Sequence, residues 1–194
     1  MKLNLGSGYR KIIGWVNVDR DTRTKPDLVW DLETTPWPWE NESVEAIKLL
    51  HTLEHLGQDT NAYLVIWQEL WRVSKPAATI EIVVPHWLHE NFAHDPTHVR
   101  AITPIGLAMF DQERNQANIK TGGAETKLGL ICGIDFRLVS VRYDLTEPWR
   151  GRLARGEIDA VAMEQIVATE HNTCEQISLV LTAVKPPRFS VVEE

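Results

Sequence analysis

Apolar positions along the chain follow two rhythms. Short apolar or β-branched runs recur at Lys2–Leu5, Trp15–Asp19, Asp27–Asp31 and Val44–Leu50, and the second and third each close on an aspartate. These runs read as strands. Asp59–Val73 changes to a helical spacing, with Tyr63, Ile66, Trp67, Leu70 and Val73 recurring every three or four positions. Lys75-Pro76 stops that helix, because proline lacks the amide proton a continuing helix needs. Thr79–Val84 is then a strongly apolar strand closed by Pro85, and a polar stretch rich in histidine runs on to Arg100. Thr103-Pro104 reads as a helix start with proline at its first position. Gly122-Gly123 marks a loop, Phe136–Leu145 and Gln176–Val184 alternate as two last strands, and Leu153–Thr169 between them is helical. Alternating strands and helices predict an α/β domain of three layers around a mostly parallel sheet.

Composition narrows this picture. A chain of 194 residues, 43% hydrophobic, can bury one sizeable core and is too short for two ordinary domains, so residues 1–194 are read as one domain. A net charge of −7 argues against a protein that coats nucleic acid, which needs a basic face. Cys132 and Cys174 lack metal-ligand or redox spacing, as in a reduced cytosolic protein. No basic-then-apolar leader stands before Lys2, and the longest apolar stretch, Ile177–Val184, is far shorter than a membrane span. The expectation is a cytoplasmic protein with no membrane partner.

The opening "LNLGSGYRKIIGWVNVD" carries the first chemistry. A strand, a glycine turn and a second strand ending in an acid form a nucleoside-binding arrangement. The dinucleotide version needs G-x-G-x-x-G and an acid about twenty residues further on, with the pyrophosphate on the N-terminus of a full helix. Here Lys11 occupies the third glycine position, and Asp19 follows Gly6 by thirteen positions. Only Tyr9–Gly14 connect the turn to the second strand, and six residues span at most about 20 Å when extended. That leaves no room for a crossover helix and no dipole for a pyrophosphate. Arg20–Pro26 is as short, so the first three strands are expected to lack helical cover on one side. The Leu153–Thr169 helix or a second copy of the chain, in a homodimer, is expected to supply it.

Taken together, "LNLGSG", "GWVNVD", "DLVWDLETTPWPWENESVEAI", "HTLEHL" and "VSKPAATIEIVVP" resemble the class I SAM-dependent methyltransferases, especially small bacterial and phage-type members with short left-hand crossovers. The resemblance covers about residues 2–85. It implies a Rossmann-like seven-stranded sheet with truncated crossovers between the first three strands, and S-adenosylmethionine (SAM) as cofactor. It further implies that Asn4, Leu5, Gly6, Ser7 and Gly8 wrap the methionine part and that Asp19, followed by Arg20, holds the ribose. Asp31 and Leu32 would meet the adenine edge, and His51 and Thr52 would lie beneath the methyl donor. The chain departs from the family pattern at the missing third glycine and at "SKPAA", where the family has "LKPGG". "PWPW" (residues 36–39), Trp67 and Trp71 read as packing aromatics and not as a cation cage.

The segment "PHWLHENFAHDPTHVR", within the loop at residues 85–102, holds four of the seven histidines. It follows the fifth strand, where the resemblance puts the reactive end of the cofactor, and long loops of this kind are commonly functional. A hydroxyl acceptor must lose its proton during attack, so a histidine here suits the role of general base. His98 is the choice, with Asp95 three residues before it to orient the imidazole. His55 is the third candidate. In "HTLEHL", His51, Glu54 and His55 share one face if they open a helix, and with His98 they could hold a divalent cation. That set and "DPTHVRAIT" resemble the small-RNA 3′-terminal ribose methyltransferases, in which a glutamate stands at the His51 position. The metal-free arrangement, in which the pair caps the helix and lines the pocket, is preferred.

The function these readings point to is methyl transfer from SAM to an oxygen or nitrogen of a small molecule or sugar, ahead of a nucleic-acid acceptor. The alternatives are a SAM-binding protein without transfer, a metal-dependent 2′-O-methyltransferase acting on an RNA end, and, more distantly, a metal hydrolase or a nicotinamide enzyme.

Overall fold

The computed structural model describes residues 1–189. Its seven strands are β1 (Lys2–Leu5), β2 (Val16–Asp19), β3 (Leu28–Val29), β4 (Val44–Leu50), β5 (Ser74–Pro85), β6 (Phe136–Leu145) and β7 (Cys174–Ala183). They form one sheet in the order β3-β2-β1-β4-β5-β7-β6. The pairs among β1–β5 are parallel, and β7 runs antiparallel to both neighbours. The expected mostly parallel, Rossmann-like sheet is therefore observed. Central strands read as continuous apolar runs because both of their faces are covered. Leu3, Leu5, Ile47, Leu49, Ile80, Ile82, Leu179 and Leu181 are all within 1% of fully buried.

Helix α1 (Thr60–Val73) lies where the periodicity predicts, opened by Asp59, whose carboxylate accepts from the amides of Asn61 and Ala62. Its buried stripe of Tyr63, Ile66, Trp67, Leu70 and Val73 is the predicted one, and Trp67 stacks on Phe110 at 4.5 Å between ring centroids. Strand β5 starts earlier than expected, directly at the helix end. Ser74 pairs with Val44 ahead of a bulge, and Ala77 takes φ 61°, the left-handed conformation that a glycine turn would otherwise supply. Trp37 is buried and meets Trp39 edge-on at 5.8 Å, in keeping with a packing role.

The two left-hand connections are as truncated as their lengths require. Residues 9–14 contain no helix, and residues 20–26 hold a single 3₁₀ turn, Thr22–Thr24. Tyr9, Ile13 and Val29 remain exposed there. The predicted helix Leu153–Thr169 does not cover them. It is split into α6 (Trp149–Ala154) and α7 (Ala160–Thr169), and Glu164 of α7 faces Tyr143 of β6, at the opposite edge of the sheet. Gly156, with φ 70°, ends α6 by donating to Leu153, while Glu157 donates to Arg152; Asp159 then caps α7. The remaining helices are α2 (Glu90–His94), α3 (Pro104–Ala108), α4 (Gln112–Lys120) and α5 (Leu128–Cys132). Beyond β7, Arg188 folds back onto the buried Asp135 and onto Asp111 and Glu113, which hold its guanidinium firmly protonated. Among the described residues, no helix is long and apolar enough to cross a membrane.

Candidate active site

Two cavities open at the C-terminal ends of the parallel strands, the place where such sheets leave a crevice for ligands. The first, about 280 Å³, lies over β1, β2 and β3 and is lined by Gly6, Gly8, Asp19, Arg20, Trp30, Asp31, Leu32, His51, Thr52, His55 and Leu56. Gly6 has φ 65°, and a Cβ on it would fall 2.2 Å from Thr52 Cγ2, so only glycine lets the turn lie against Thr52. The carboxylate of Asp19 accepts from Gly8 N at 2.7 Å and from Asp21 N at 2.8 Å, which ties the glycine turn to the end of β2.

Eight of the residues expected around a cofactor line this cavity, and three do not. Leu5 is part of the core. Asn4 is buried and donates its side-chain amide to Arg10 O and Asn17 Oδ1, so it shapes the short connection from below. Ser7 is buried and its amide donates to Val18 O. Trp30 and Leu56 line the cavity without having been expected. The signal for Trp30 was its place at the end of the third apolar run, next to Asp31.

The second cavity is larger, about 610 Å³, and is lined by His51, Glu54, His55, Pro85, Asn91, His94, Asp95, Pro96, His98, Glu175 and Gln176. It shares His51 and His55 with the first, so the two are adjacent. His51 directly follows β4 with φ 55°, its amide bonded to Val83 O. Glu54 and His55 lie on a single 3₁₀ turn, Leu53–His55, and not on the opening of α1, because Gly57 and Asp59 separate that turn from the helix. The loop after β5 is pinned to this turn: Val99 N and Arg100 N both donate to Glu54 O, and Arg100 Nη2 reaches Gly57 O.

This pinning sets the histidine tautomers. His98 Nδ1 lies 2.8 Å from Phe92 O, which can only accept, so Nδ1 carries a proton and the lone pair of the neutral ring lies on Nε2. Asp95 does not orient this ring as expected. Its nearest oxygen is 3.9 Å from His98 Nε2, and its other oxygen accepts from the Thr97 hydroxyl and amide, which hold the Asp95 carboxyl below its usual value. The Thr97 hydroxyl has spent its proton on Asp95 and so accepts from His55 Nδ1 at 2.9 Å, which leaves His55 Nε2 free as well. The two rings lie 4.7 Å apart. Gln176 donates to Asp144 and therefore presents its oxygen to His51 Nε2 at 3.1 Å. Glu54 is 1% exposed, and neither of its carboxylate oxygens has a hydrogen-bond partner among the described residues. Glu54, His55 and His98 each offer a ligand atom within 4.8 Å of the others, whereas His51 is not part of that group.

No protein-family model matches the chain, and no curated protein matches it. Solved structures do. A SAM-dependent methyltransferase from Archaeoglobus fulgidus aligns over 93% of this chain and 85% of its own, with a TM-score of 0.62 at 14% identity. One from Methanosarcina mazei aligns over 94% and 92%, with a TM-score of 0.55 at 13% identity. A 16S rRNA (adenine(1408)-N(1))-methyltransferase from Catenulisporales acidiphilia aligns over 95% and 85%, with a TM-score of 0.50 at 15% identity. The sheet order, the glycine turn against Thr52 and these alignments together establish that the chain has the Rossmann-like fold of the class I SAM-dependent methyltransferases.

Proposed function

We propose that the protein transfers a methyl group from SAM to an oxygen or nitrogen of a small-molecule acceptor. The observation that carries this reading is the meeting of the two cavities at His51 and His55. One presents a glycine turn and an acid at the ends of β1 and β2; the other presents an imidazole with a free nitrogen. The first cavity suits a phosphate-free nucleoside. It lacks the crossover helix a pyrophosphate would use, and it sets the Asp19 carboxylate at its wall, where the ribose hydroxyls can donate to it. Gly6, Gly8 and Thr52 would hold the amino-acid part, and Trp30, Asp31 and Leu32 the base. When bound, SAM supplies an electrophilic methyl on a sulfonium that leaves as a neutral thioether, so no acid is needed. The chain's own work is to orient the acceptor and manage one proton, for which His98 Nε2 is the open base. An RNA acceptor, as one structural neighbour's name states, fits less well with a net charge of −7 and a second cavity that carries three carboxylates.

Thermal unfolding tests the reading. S-adenosylhomocysteine (SAH) is expected to raise the melting temperature and NADH is not. Stabilisation by NADH alone would sink it.

A second reading has one observation in its favour. The unpartnered Glu54 carboxylate, His55 and His98 could bind a divalent cation, as a His₂Glu set with an open position does in catalytic metal sites. Calorimetry with Mn²⁺ or Zn²⁺ decides it: one bound ion, and turnover abolished by chelator, would establish the metal.

A further inference from the structure

The second cavity has a lopsided hydrogen-bond inventory. Among the described residues no lysine or arginine lines it, and three carboxylates, Glu54, Asp95 and Glu175, do. Both Glu54 oxygens are buried without a donor. His55 and His98 use their Nδ1 protons on Thr97 and on Phe92 O, so each ring in its neutral form presents its Nε2 lone pair. His51 has spent its Nε2 proton on Gln176, and its Nδ1 lone pair faces Glu54 Oε1 at 3.6 Å. The Asn91 amide, a donor at this wall, reaches Glu175 at 3.4 Å. The wall thus offers acceptors and negative charge, with few donors in return.

From this inventory we infer that the methyl acceptor is an amine that enters as its ammonium form. The inference rests on the methyltransferase reading above. An ammonium brings up to three donors, no acceptor and a positive charge, the complement of a wall made of acceptors and carboxylates. A hydroxyl brings one donor and two further lone pairs, which would face carboxylates. A phosphate or carboxylate near the methylated atom would be repelled by the same groups. A cavity of about 610 Å³ has room for an organic molecule around that nitrogen.

The chemistry balances. The ammonium gives one proton to His98 Nε2, and the positive charge of the neighbouring sulfonium favours that loss. The freed nitrogen pair forms the N–C bond while the C–S bond breaks and its electron pair stays on sulfur. The product leaves as the N-methylammonium and its thioether partner, and His98 returns its proton to water.

The test is a panel of primary and secondary amines, each paired with the alcohol of the same carbon skeleton and with that alcohol's phosphate monoester. SAH release is measured, with mass spectrometry of the product. Amine turnover is expected to exceed that of the matched alcohol at least tenfold, with methylation on nitrogen. Glu175→Gln, an exposed substitution, should raise KM for the best amine several-fold while the SAH-induced thermal shift stays the same. Turnover confined to alcohols or phosphates, no turnover of any amine, or an unchanged KM in Glu175→Gln overturns the assignment. A stoichiometric Mn²⁺ or Zn²⁺ on the histidines also overturns it, since the metal would satisfy the same lone pairs. If SAH still stabilises the protein in those cases, the cofactor reading survives. If SAH fails to stabilise it, the fault lies in that reading instead.

Discussion

The two cavities that meet at His51 and His55 are built in opposite ways. The smaller one is made mainly of strand ends and tight turns within the first 56 residues, and its shape comes from backbone: a glycine at positive φ, amides turned onto Asp19, and a connection too short for a helix. The larger one gathers side chains from residues 51–55, 85–98 and 175–176, and depends on which nitrogen of each ring is already engaged. A backbone-built cavity should lose affinity when damaged, and a cavity built of oriented side chains should lose rate. Substitutions on either side test that division.

The largest expected effect is on rate. His98→Ala should slow turnover by about 10²–10⁴-fold, the usual contribution of a general base, while SAH binding stays nearly intact. Full activity on the true acceptor would remove His98 from the chemistry and leave the loop as a clamp.

Next comes acid sensitivity at the foot of the same loop. His86 is fully buried against Trp87, its amide bonded to Glu175 O, and burial lowers its pKa from 6.5 to about 4. The unfolded chain therefore takes up this proton first. Stability should fall as pH drops from about 6.5 to about 4 and level off below, by up to about 3 kcal/mol. His86→Phe keeps the stacking and should flatten that limb in denaturant titrations across this range. An unchanged slope would assign the acid loss to other groups.

On the other side of the comparison, Asp19→Ala should erase most of the SAH-induced stabilisation, which is about 2.7 kcal/mol at a ligand concentration a hundred times Kd. Any residual activity at saturating SAM should have a near-normal rate. A rate defect without an affinity defect would break the division between the cavities. Gly6→Ala damages the same cavity from its backbone: the left-handed conformation alone costs about 1–2 kcal/mol, and the new methyl would clash with Thr52 as well. Melting temperature and SAH affinity should fall together, and Thr52→Ala should restore part of both.

Much of the backbone-built half was legible in advance. The lengths of residues 9–14 and 20–26 exclude crossover helices whatever the rest of the chain does, since reach per residue is fixed. The stripe on α1 and the bounds of β1, β4 and β6 followed from periodicity. Helix α4 did not, because "QERNQANIK" is polar all round; only Gln112 and Asn115 are buried, and Asp111 starts the helix by capping it. The break between α6 and α7 was written in Gly156 and Asp159, but both residues are also tolerated within longer helical stretches.

The side-chain half was legible only as a roster. Sequence named His55, Asp95 and His98, and local spacing favoured Asp95 as the partner of His98 because the two are three residues apart. The fold instead gave Asp95 to Thr97 and His98 to the carbonyl of Phe92, since the loop wraps around Glu54 O through Val99 and Arg100. What the sequence determined by itself was what bond lengths, chain reach and residue periodicity control: the strands, the missing crossover helices and the glycine turn before an acid. Which proton each histidine carries, and that Glu54 is buried with no donor, depended on groups distant in the chain. Hydrogen bonds act over about 3 Å, so only the folded structure could decide them.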